Sequence, residues 1–133
     1  MTLVHDERRR NDPKLIVLLI EDDDLIRSGT ADMTADLGHT VNCASDGESA
    51  LRLLAETTDD VLITDVGLPD FSGTDLARQA IQQWPGLKII FASGDQGASQ
   101  EAGAPDGINL TKPYTSDQIA AALSRAVSHK ALS

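Results

Sequence analysis

Four consecutive acidic residues, Glu21, Asp22, Asp23 and Asp24, follow an apolar run in the stretch LLIEDDDLI. Two like charges about 4 Å apart repel each other by about 4 kcal/mol at a surface-like dielectric constant of about 20. A helix start that faces water relieves this repulsion, and so does a cation that the carboxylates share. For the acidic run taken alone, both interpretations are open.

Other reactive side chains occur where short apolar segments end. Asp65 follows VLIT, Ser93 follows IIFA, and Lys112 follows INLT. Each of these residues can also occur there without a functional role, since an Asp at a strand end is often a helix cap and a Lys is usually solvated. If the segments are parallel strands, however, all of these side chains meet at the edge of the sheet where ligands bind.

The acidic residues in this set have the chemistry of a magnesium site. Mg²⁺ prefers oxygen ligands, keeps several waters and is usually bound by one or two protein carboxylates together with phosphate oxygens. We predict Asp22 and Asp65 as direct ligands, with Glu21 acting through water and Gly67 offering its backbone carbonyl.

The same set has the parts that phosphoryl transfer needs, because positioned cations neutralise the phosphoryl oxygens and the protein does little covalent chemistry. The bound metal, the Lys112 ammonium and the Ser93 hydroxyl would surround one oxygen of Asp65. Asp65 is then the predicted nucleophile, which forms an aspartyl-phosphate.

The elements that must position these residues alternate along the chain. The continuous apolar run at 14–20 predicts a buried strand, and four further short segments, at 40–44, 60–64, 87–92 and 108–111, are also predicted to be strands. Between and after them lie segments with helical periodicity. Strands that alternate with helices imply right-handed crossovers and a mostly parallel sheet with helices on both faces, so the predicted fold class is α/β and doubly wound.

Capping residues predict where the helices begin. The predicted starts are Asp24, Ser45 with Glu48, Ser72 with Asp75, and Thr115 with Gln118. In the first helix the predicted buried positions are Ile26, Met33 and Leu37, and Gly38 ends it. In the second helix they are Ala50, Leu51 and Leu54. The third helix runs to about Trp84, the last to about Val127, and the stretch from Ser93 to 107 supports at most a short helix.

The composition of the chain argues against several classes of function. The chain has 133 residues, 41% of them hydrophobic, and a net charge of −10, which argues against direct binding of nucleic acid. No apolar run reaches the roughly 20 residues that span a bilayer, and the N-terminus lacks a signal segment, so we expect a cytoplasmic protein. We interpret the single Cys43 as a buried strand residue, and the three His residues lack metal-ligand spacing.

Four motifs together resemble the receiver domain of response regulators in two-component signalling. They are LLIEDDD, LITDVGLPDFSG around Asp65, IIFASGD around Ser93 and LTKPY around Lys112. The resemblance covers about residues 14–128, with 1–13 as a disordered tail and 129–133 as a short C-terminal tail. It implies a flavodoxin-like five-stranded sheet with strand order 2-1-3-4-5.

The resemblance also implies a role for each matching residue. Asp65 is the residue phosphorylated by a histidine kinase or phosphotransfer protein, with at most self-catalysed phosphorylation and dephosphorylation and no other enzyme activity. Ser93 turns toward the phosphoryl group and Lys112 pairs with it. The Lys112–Pro113 peptide bond is expected to be cis, and the acidic pair of Glu21 and Asp22 is expected to bind Mg²⁺.

Two departures from the family pattern concern signalling output. Asn109 stands where receivers commonly carry an aromatic switch residue, and the region after Ser93 is short and rich in Gly. We therefore expect the loop 94–106, drawn in through Ser93, to be the element that moves. We also expect a stand-alone receiver that contacts a downstream protein through the last helix or the loop 94–106, with no direct nucleic-acid or membrane partner.

Three other functions are open on the residues alone. A Mg²⁺-dependent phosphohydrolase with an aspartyl-phosphate intermediate usually needs an acid two residues after the nucleophile, where this chain has Gly67. A nucleotide- or flavin-binding module would need a phosphate-cradling loop in place of IEDDD. An interaction module that works without phosphorylation would not need the complete set of reactive residues.

Overall fold

The computed structural model describes residues 14–94 and 107–129. This part of the chain forms one five-stranded parallel sheet with strand order β2-β1-β3-β4-β5, which confirms the predicted fold class and order. The strands are β1 (Ile16–Ile20), β2 (Thr40–Ala44), β3 (Val61–Asp65), β4 (Lys88–Ser93) and β5 (Ile108–Thr111). The helices are α1 (Asp24–Asp36), α2 (Gly47–Glu56), α3 (Gly73–Gln83) and α4 (Ser116–His129).

Helices cover both faces of the sheet, which is why β1 is apolar along its whole length. In β1, Leu18 and Ile20 face a core shared with α2 and α3. The alternate residues Val17 and Leu19 face a second core, which is shared with α4 and flanked by α1. No helix of the described residues is long and apolar enough to span a bilayer.

Two of the four predicted helix caps are confirmed by the structure. Ser72 accepts a hydrogen bond from the backbone N–H of Asp75, and Thr115 and Gln118 form a reciprocal capping box. The predictions of Asp24 and Ser45 were wrong because the neighbouring residue takes the extended cap conformation in each case. These caps are Asp23 and Asp46, which accept from the backbone N–H groups of Ile26 and Ser49.

Helix α1 departs most from its predicted packing. Ile26 is 38% exposed, whereas the fully buried positions are Thr30 and Thr34. Met33 and Leu37 do pack against the core, and Gly38 ends the helix with a φ of 102°, a left-handed conformation that favours glycine. Two threonines can be buried because hydrogen bonds satisfy their hydroxyls.

Cys43 was predicted to be buried and is exposed. The strand assignment is correct, but β2 is an edge strand of the sheet, so its residues have fewer neighbours than those of β1 or β3. In contrast, Ala50 and Leu54 of α2 are buried as predicted, and Leu51 packs against the same core.

Candidate functional site

The carboxyl ends of four neighbouring strands converge at one edge of the sheet, which is named here the carboxyl edge. Glu21 and Asp22 follow β1, Asp65 closes β3, Ser93 closes β4, and Lys112 follows β5. The register aligns these ends, because Asp65 pairs with Ala92 and Ser93 pairs with Thr111. The fold therefore gathers residues that are up to 91 positions apart in the chain.

Three carboxylates form a cluster at this edge. Glu21, Asp22 and Asp65 each offer an oxygen, and these oxygens lie within 4.8 Å of one another. Their environments differ, since Glu21 is buried, Asp65 is half-buried and Asp22 is exposed. The turn into α1 fixes the first of them, because the backbone N–H of Asp23 donates to Glu21 Oε2 at 3.1 Å.

Lys112 brings a positive charge into the cluster. Its Nζ lies 2.7 Å from Glu21 Oε1 and 3.2 Å from Asp65 Oδ1. Its backbone N–H donates to the carbonyl of Ser93 at 2.8 Å, which ties the end of β5 to the end of β4. The peptide bond from Lys112 to Pro113 is cis.

Burial and the ion pair have opposite effects on the pKa values of Glu21 and Lys112. Burial raises the pKa of the Glu21 carboxyl, and the hydrogen bond from Lys112 only partly offsets this effect. For Lys112, burial alone would lower the pKa, but the hydrogen bond to Glu21 and the charges of Asp65 and Glu21 raise it above its ordinary value. Lys112 therefore stays positively charged at neutral pH.

This donor set fits a hard divalent cation. Three carboxylates that share one ammonium leave an excess of negative charge within 4.8 Å. All the available donors are oxygens, which suits Mg²⁺ and gives none of the nitrogen or sulfur ligands that zinc favours. Asp22 is exposed, so the cluster is open to solvent and to an incoming ion.

The remaining predicted site residues lie around Asp65 or along β5. The backbone N–H of Gly67 points to Asp65 Oδ1 at 3.4 Å, and Gly67 itself is exposed. Ser93 is half-buried, while Asn109 is exposed in β5 opposite Phe91. Of the loop 94–106, which we predicted to move, residues 95–106 lie outside the described residues.

Arg27 is a supporting residue that was not predicted from the sequence. Its guanidinium donates to the backbone carbonyl of Glu21 at 2.8 Å and also to the Asp24 carboxylate. It thereby holds the turn from which the acidic pair projects. The spacing of Asp24 and Arg27, three residues apart in a helix, is the signal that could have indicated an ion pair here.

Backbone packing fixes Asp65 from the side of α3. A Cβ at Gly73 would lie 2.2 Å from the carbonyl oxygen of Asp65, so only glycine allows this approach. The same carbonyl accepts a hydrogen bond from the hydroxyl of Thr64 at 2.9 Å. The loop before Gly73 is held as well, because the Asp70 carboxylate accepts from the backbone N–H groups of Gly47 and Glu48, both at 2.9 Å.

Comparisons with known proteins agree with this architecture. The sequence profile described as "Response regulator receiver domain" matches residues 17–124. Sensor kinase CckA of Brucella abortus is 32% identical over 109 residues, which are 78% of this chain and 12% of that protein. The DNA-binding transcriptional regulator NtrC of Escherichia coli K12 is 33% identical over 117 residues, which are 86% of this chain and 25% of that protein.

A solved structure supports the same relationship. The signal receiver domain of an HD domain-containing protein from Pseudomonas fluorescens Pf-5 superimposes with a TM-score of 0.79 and 26% sequence identity, covering 89% of this chain and 90% of that one. The chain matches that receiver domain over nearly its whole length. It spans only 12% and 25% of the two curated relatives.

Proposed function

The chain belongs to the response regulator receiver domain family, and from this premise we propose that it accepts a phosphoryl group on Asp65. One observation carries the proposal. The Asp65 carboxylate lies 3.2 Å from the Lys112 ammonium, and oxygens of the Asp65, Glu21 and Asp22 carboxylates lie within 4.8 Å of one another. The candidate nucleophile thus lies beside a fixed cation and within a cluster of oxygens that suits a second cation.

The transfer itself needs only positioning and charge from the protein. One carboxylate oxygen of Asp65 forms a bond to phosphorus while the phosphorus–nitrogen bond of a phosphohistidine donor breaks. The electron pair of that bond stays on the imidazole nitrogen. Lys112 neutralises a phosphoryl oxygen beside Asp65, and the Ser93 hydroxyl turns toward the phosphoryl group after transfer.

Mg²⁺ is the proposed cofactor, which Asp22, Asp65 and the backbone carbonyl of Gly67 would bind directly and Glu21 would bind through water. When bound, it supplies charge neutralisation for the phosphoryl oxygens. Both oxygens of Glu21 already accept hydrogen bonds, from Lys112 and from the backbone of Asp23. We therefore assign Glu21 an indirect role through water, and assign direct binding to Asp22 and Asp65.

The proposed phosphodonor is a histidine kinase or a phosphotransfer protein that docks at the start of α1. Leu25 is 85% exposed there, directly after the acidic residues of the cluster, and Ile26 is 38% exposed. Among the relatives is a protein named as a sensor kinase. Phosphorylation adds about 1.5 to 2 negative charges, which is sufficient to change contacts with a downstream protein.

The phosphohydrolase interpretation has less support from the site. Turnover through an aspartyl-phosphate usually needs a general acid or base near the nucleophile. The position two residues after Asp65 is Gly67, which has no side chain and faces open space. We therefore propose that the chain is phosphorylated and slowly dephosphorylated, without turnover of an external substrate.

The proposal is tested by intact mass after incubation with Mg²⁺ and a small-molecule phosphodonor. We expect the wild-type chain to gain one phosphoryl group and Asp65→Asn to gain none. Asp60→Asn is a matched control, because Asp60 lies just before the other end of the same strand. It should be phosphorylated like the wild-type chain. Equal phosphorylation of Asp65→Asn would overturn the proposal.

A further inference from the structure

A hydrogen bond joins the loop that follows Lys112 to helix α1. The hydroxyl of Tyr114 lies 2.8 Å from Thr30 Oγ1, and the two residues are 84 positions apart in the chain. Tyr114 lies between β5 and α4, two residues after Lys112. Neither Tyr114 nor Thr30 belongs to the cluster at the carboxyl edge, so this contact has no part in the chemistry described above.

Both partners of this bond are fixed by their surroundings. Thr30 is 2% exposed, and the Tyr114 ring packs against the core that α4 shares with the sheet. Burial raises the pKa of the Tyr114 phenol, so its hydroxyl stays protonated at neutral pH. A buried hydroxyl that loses its partner is costly, and the pair therefore holds the loop in one place.

The loop has a second attachment on the other side of the cis peptide bond. The backbone N–H of Lys112 donates to the carbonyl of Ser93 at 2.8 Å. Lys112 is therefore attached to β4 by its own backbone and, through Tyr114, to α1. Its ammonium lies 2.7 Å from the Glu21 carboxylate and 3.2 Å from the Asp65 carboxylate.

The same face of α1 also holds the acidic pair. Arg27 lies three residues before Thr30, which places both side chains on one side of the helix. Arg27 donates to the backbone carbonyl of Glu21 at 2.8 Å, while Thr30 contacts Tyr114. One helix thus contacts both the strand end that carries the carboxylates and the loop that carries the ammonium.

We propose that Tyr114 is a positioning residue for Lys112, and that it fastens the Lys112 loop to α1 through Thr30. This inference rests on the proposed function, since the step that it serves is the phosphorylation of Asp65. Loss of the hydrogen bond releases the loop on the α1 side, so Lys112 contacts the phosphoryl oxygens for a smaller fraction of the time. The carboxylates that bind Mg²⁺ keep their places.

The test uses two isosteric variants and one matched control. Tyr114→Phe and Thr30→Val each remove one hydroxyl of the pair. Thr34→Val is the control, because Thr34 is 1% exposed, lies one turn further along α1 and donates to the Thr30 backbone carbonyl instead of to Tyr114. Initial phosphorylation rates are measured by intact mass at saturating Mg²⁺, and Mg²⁺ affinity is measured by isothermal titration calorimetry.

We expect Tyr114→Phe and Thr30→Val each to slow phosphorylation about 2- to 10-fold, the factor that corresponds to one net hydrogen bond. The double variant should be no slower than either single variant, because both act through one contact. Mg²⁺ affinity should stay at the wild-type value, and Thr34→Val should be phosphorylated at the wild-type rate. A loss of stability alone would slow Thr34→Val as well.

Three results would overturn the inference. They are a wild-type rate for Tyr114→Phe and Thr30→Val, an equal slowing by Thr34→Val, and a loss of Mg²⁺ affinity that accounts for the slower rate. A wild-type chain that gains no phosphate would instead overturn the proposed function and this inference with it. Phosphorylation of the wild-type chain therefore shows whether the proposed function or only the role of Tyr114 has failed.

Discussion

The central strand β3 has an aspartate near each end, and the two carboxylates are used in opposite ways. Asp60, just before the strand, accepts the backbone N–H of Ile16 at 2.8 Å. Asp65, the last residue of the strand, lies within 4.8 Å of the carboxylates of Glu21 and Asp22. Asp60 therefore satisfies a backbone donor of β1, whereas Asp65 is one of three carboxylates that lie close together.

His39 shows the same contrast at the end of the sheet where Asp60 lies, which is named here the amino edge. Its Nδ1 accepts the backbone N–H of Leu15 at 3.1 Å. These two polar side chains at the amino edge thus satisfy backbone donors of β1 and of the residue before it. At the carboxyl edge the charges that remain unbalanced are available to a ligand. Substitutions of Lys112 and Glu21 at the carboxyl edge can therefore be compared with substitutions of Lys88 and Asp60 at the amino edge.

The largest effect on the phosphorylation rate is expected from removing the Lys112 ammonium at the carboxyl edge. Lys112→Met should slow phosphorylation of Asp65 about 10²- to 10³-fold, because a preorganised charge that faces the transferred group is lost. Initial rates at saturating Mg²⁺ measure this effect. Lys88→Met is the control, since Lys88 begins β4 at the amino edge. A wild-type rate for Lys112→Met would contradict the role of Lys112.

A smaller effect is expected from changing the carboxylate with the indirect role. Glu21→Gln should weaken Mg²⁺ binding about 10- to 100-fold, as outer-shell substitutions typically do. Asp60→Asn removes the same unit of charge at the amino edge and should leave the affinity unchanged. Calorimetric titration of both variants measures the difference. Equal affinities for the two would show that overall charge, and not the cluster, attracts the ion.

The smallest effect concerns the pH dependence of stability at the amino edge. Burial lowers the pKa of His39 from its ordinary value of 6.5, and Nδ1 can accept a hydrogen bond only when it carries no proton. The unfolded chain then binds more protons, so the free energy of unfolding falls as the pH drops below about 6.5, by at most about 1.4 kcal/mol per pH unit.

His39→Gln keeps an acceptor at this position and cannot titrate. We expect its free energy of unfolding to vary less than that of the wild-type chain across this pH range. Urea unfolding at a series of pH values measures the difference between the two chains. Identical pH dependence in both would show that His39 does not titrate with folding.

The fold was predictable because the strands and helices carry strong local signals. Continuous apolar runs such as LIVLLI identify buried parallel strands without any knowledge of their neighbours. The exact caps were less predictable, since Asp23 and Asp24 are equally suited to capping. Only the backbone conformation, with φ −79° and ψ 121° at Asp23, selects one of them. The same ambiguity affected Ser45 and Asp46.

Features that depend on distant contacts could not be read from the sequence. Thr30 looks like a residue of a solvent-facing helix surface, but its buried hydroxyl is paired with a hydroxyl 84 positions away in the chain. Gly73 carries no local sign that its backbone approaches Asp65. The converging strand ends, in contrast, were predictable, because a parallel sheet places them at one edge whatever the details of packing.

The most direct test of the account identifies the residue that carries the phosphoryl group. Borohydride reduces an aspartyl-phosphate to homoserine, and peptide mapping by mass spectrometry locates the change. We predict conversion at Asp65 in the phosphorylated wild-type chain, with Asp22 and Asp60 unchanged. Conversion at any other residue, or a phosphorylated chain with no reducible aspartate, would contradict the account.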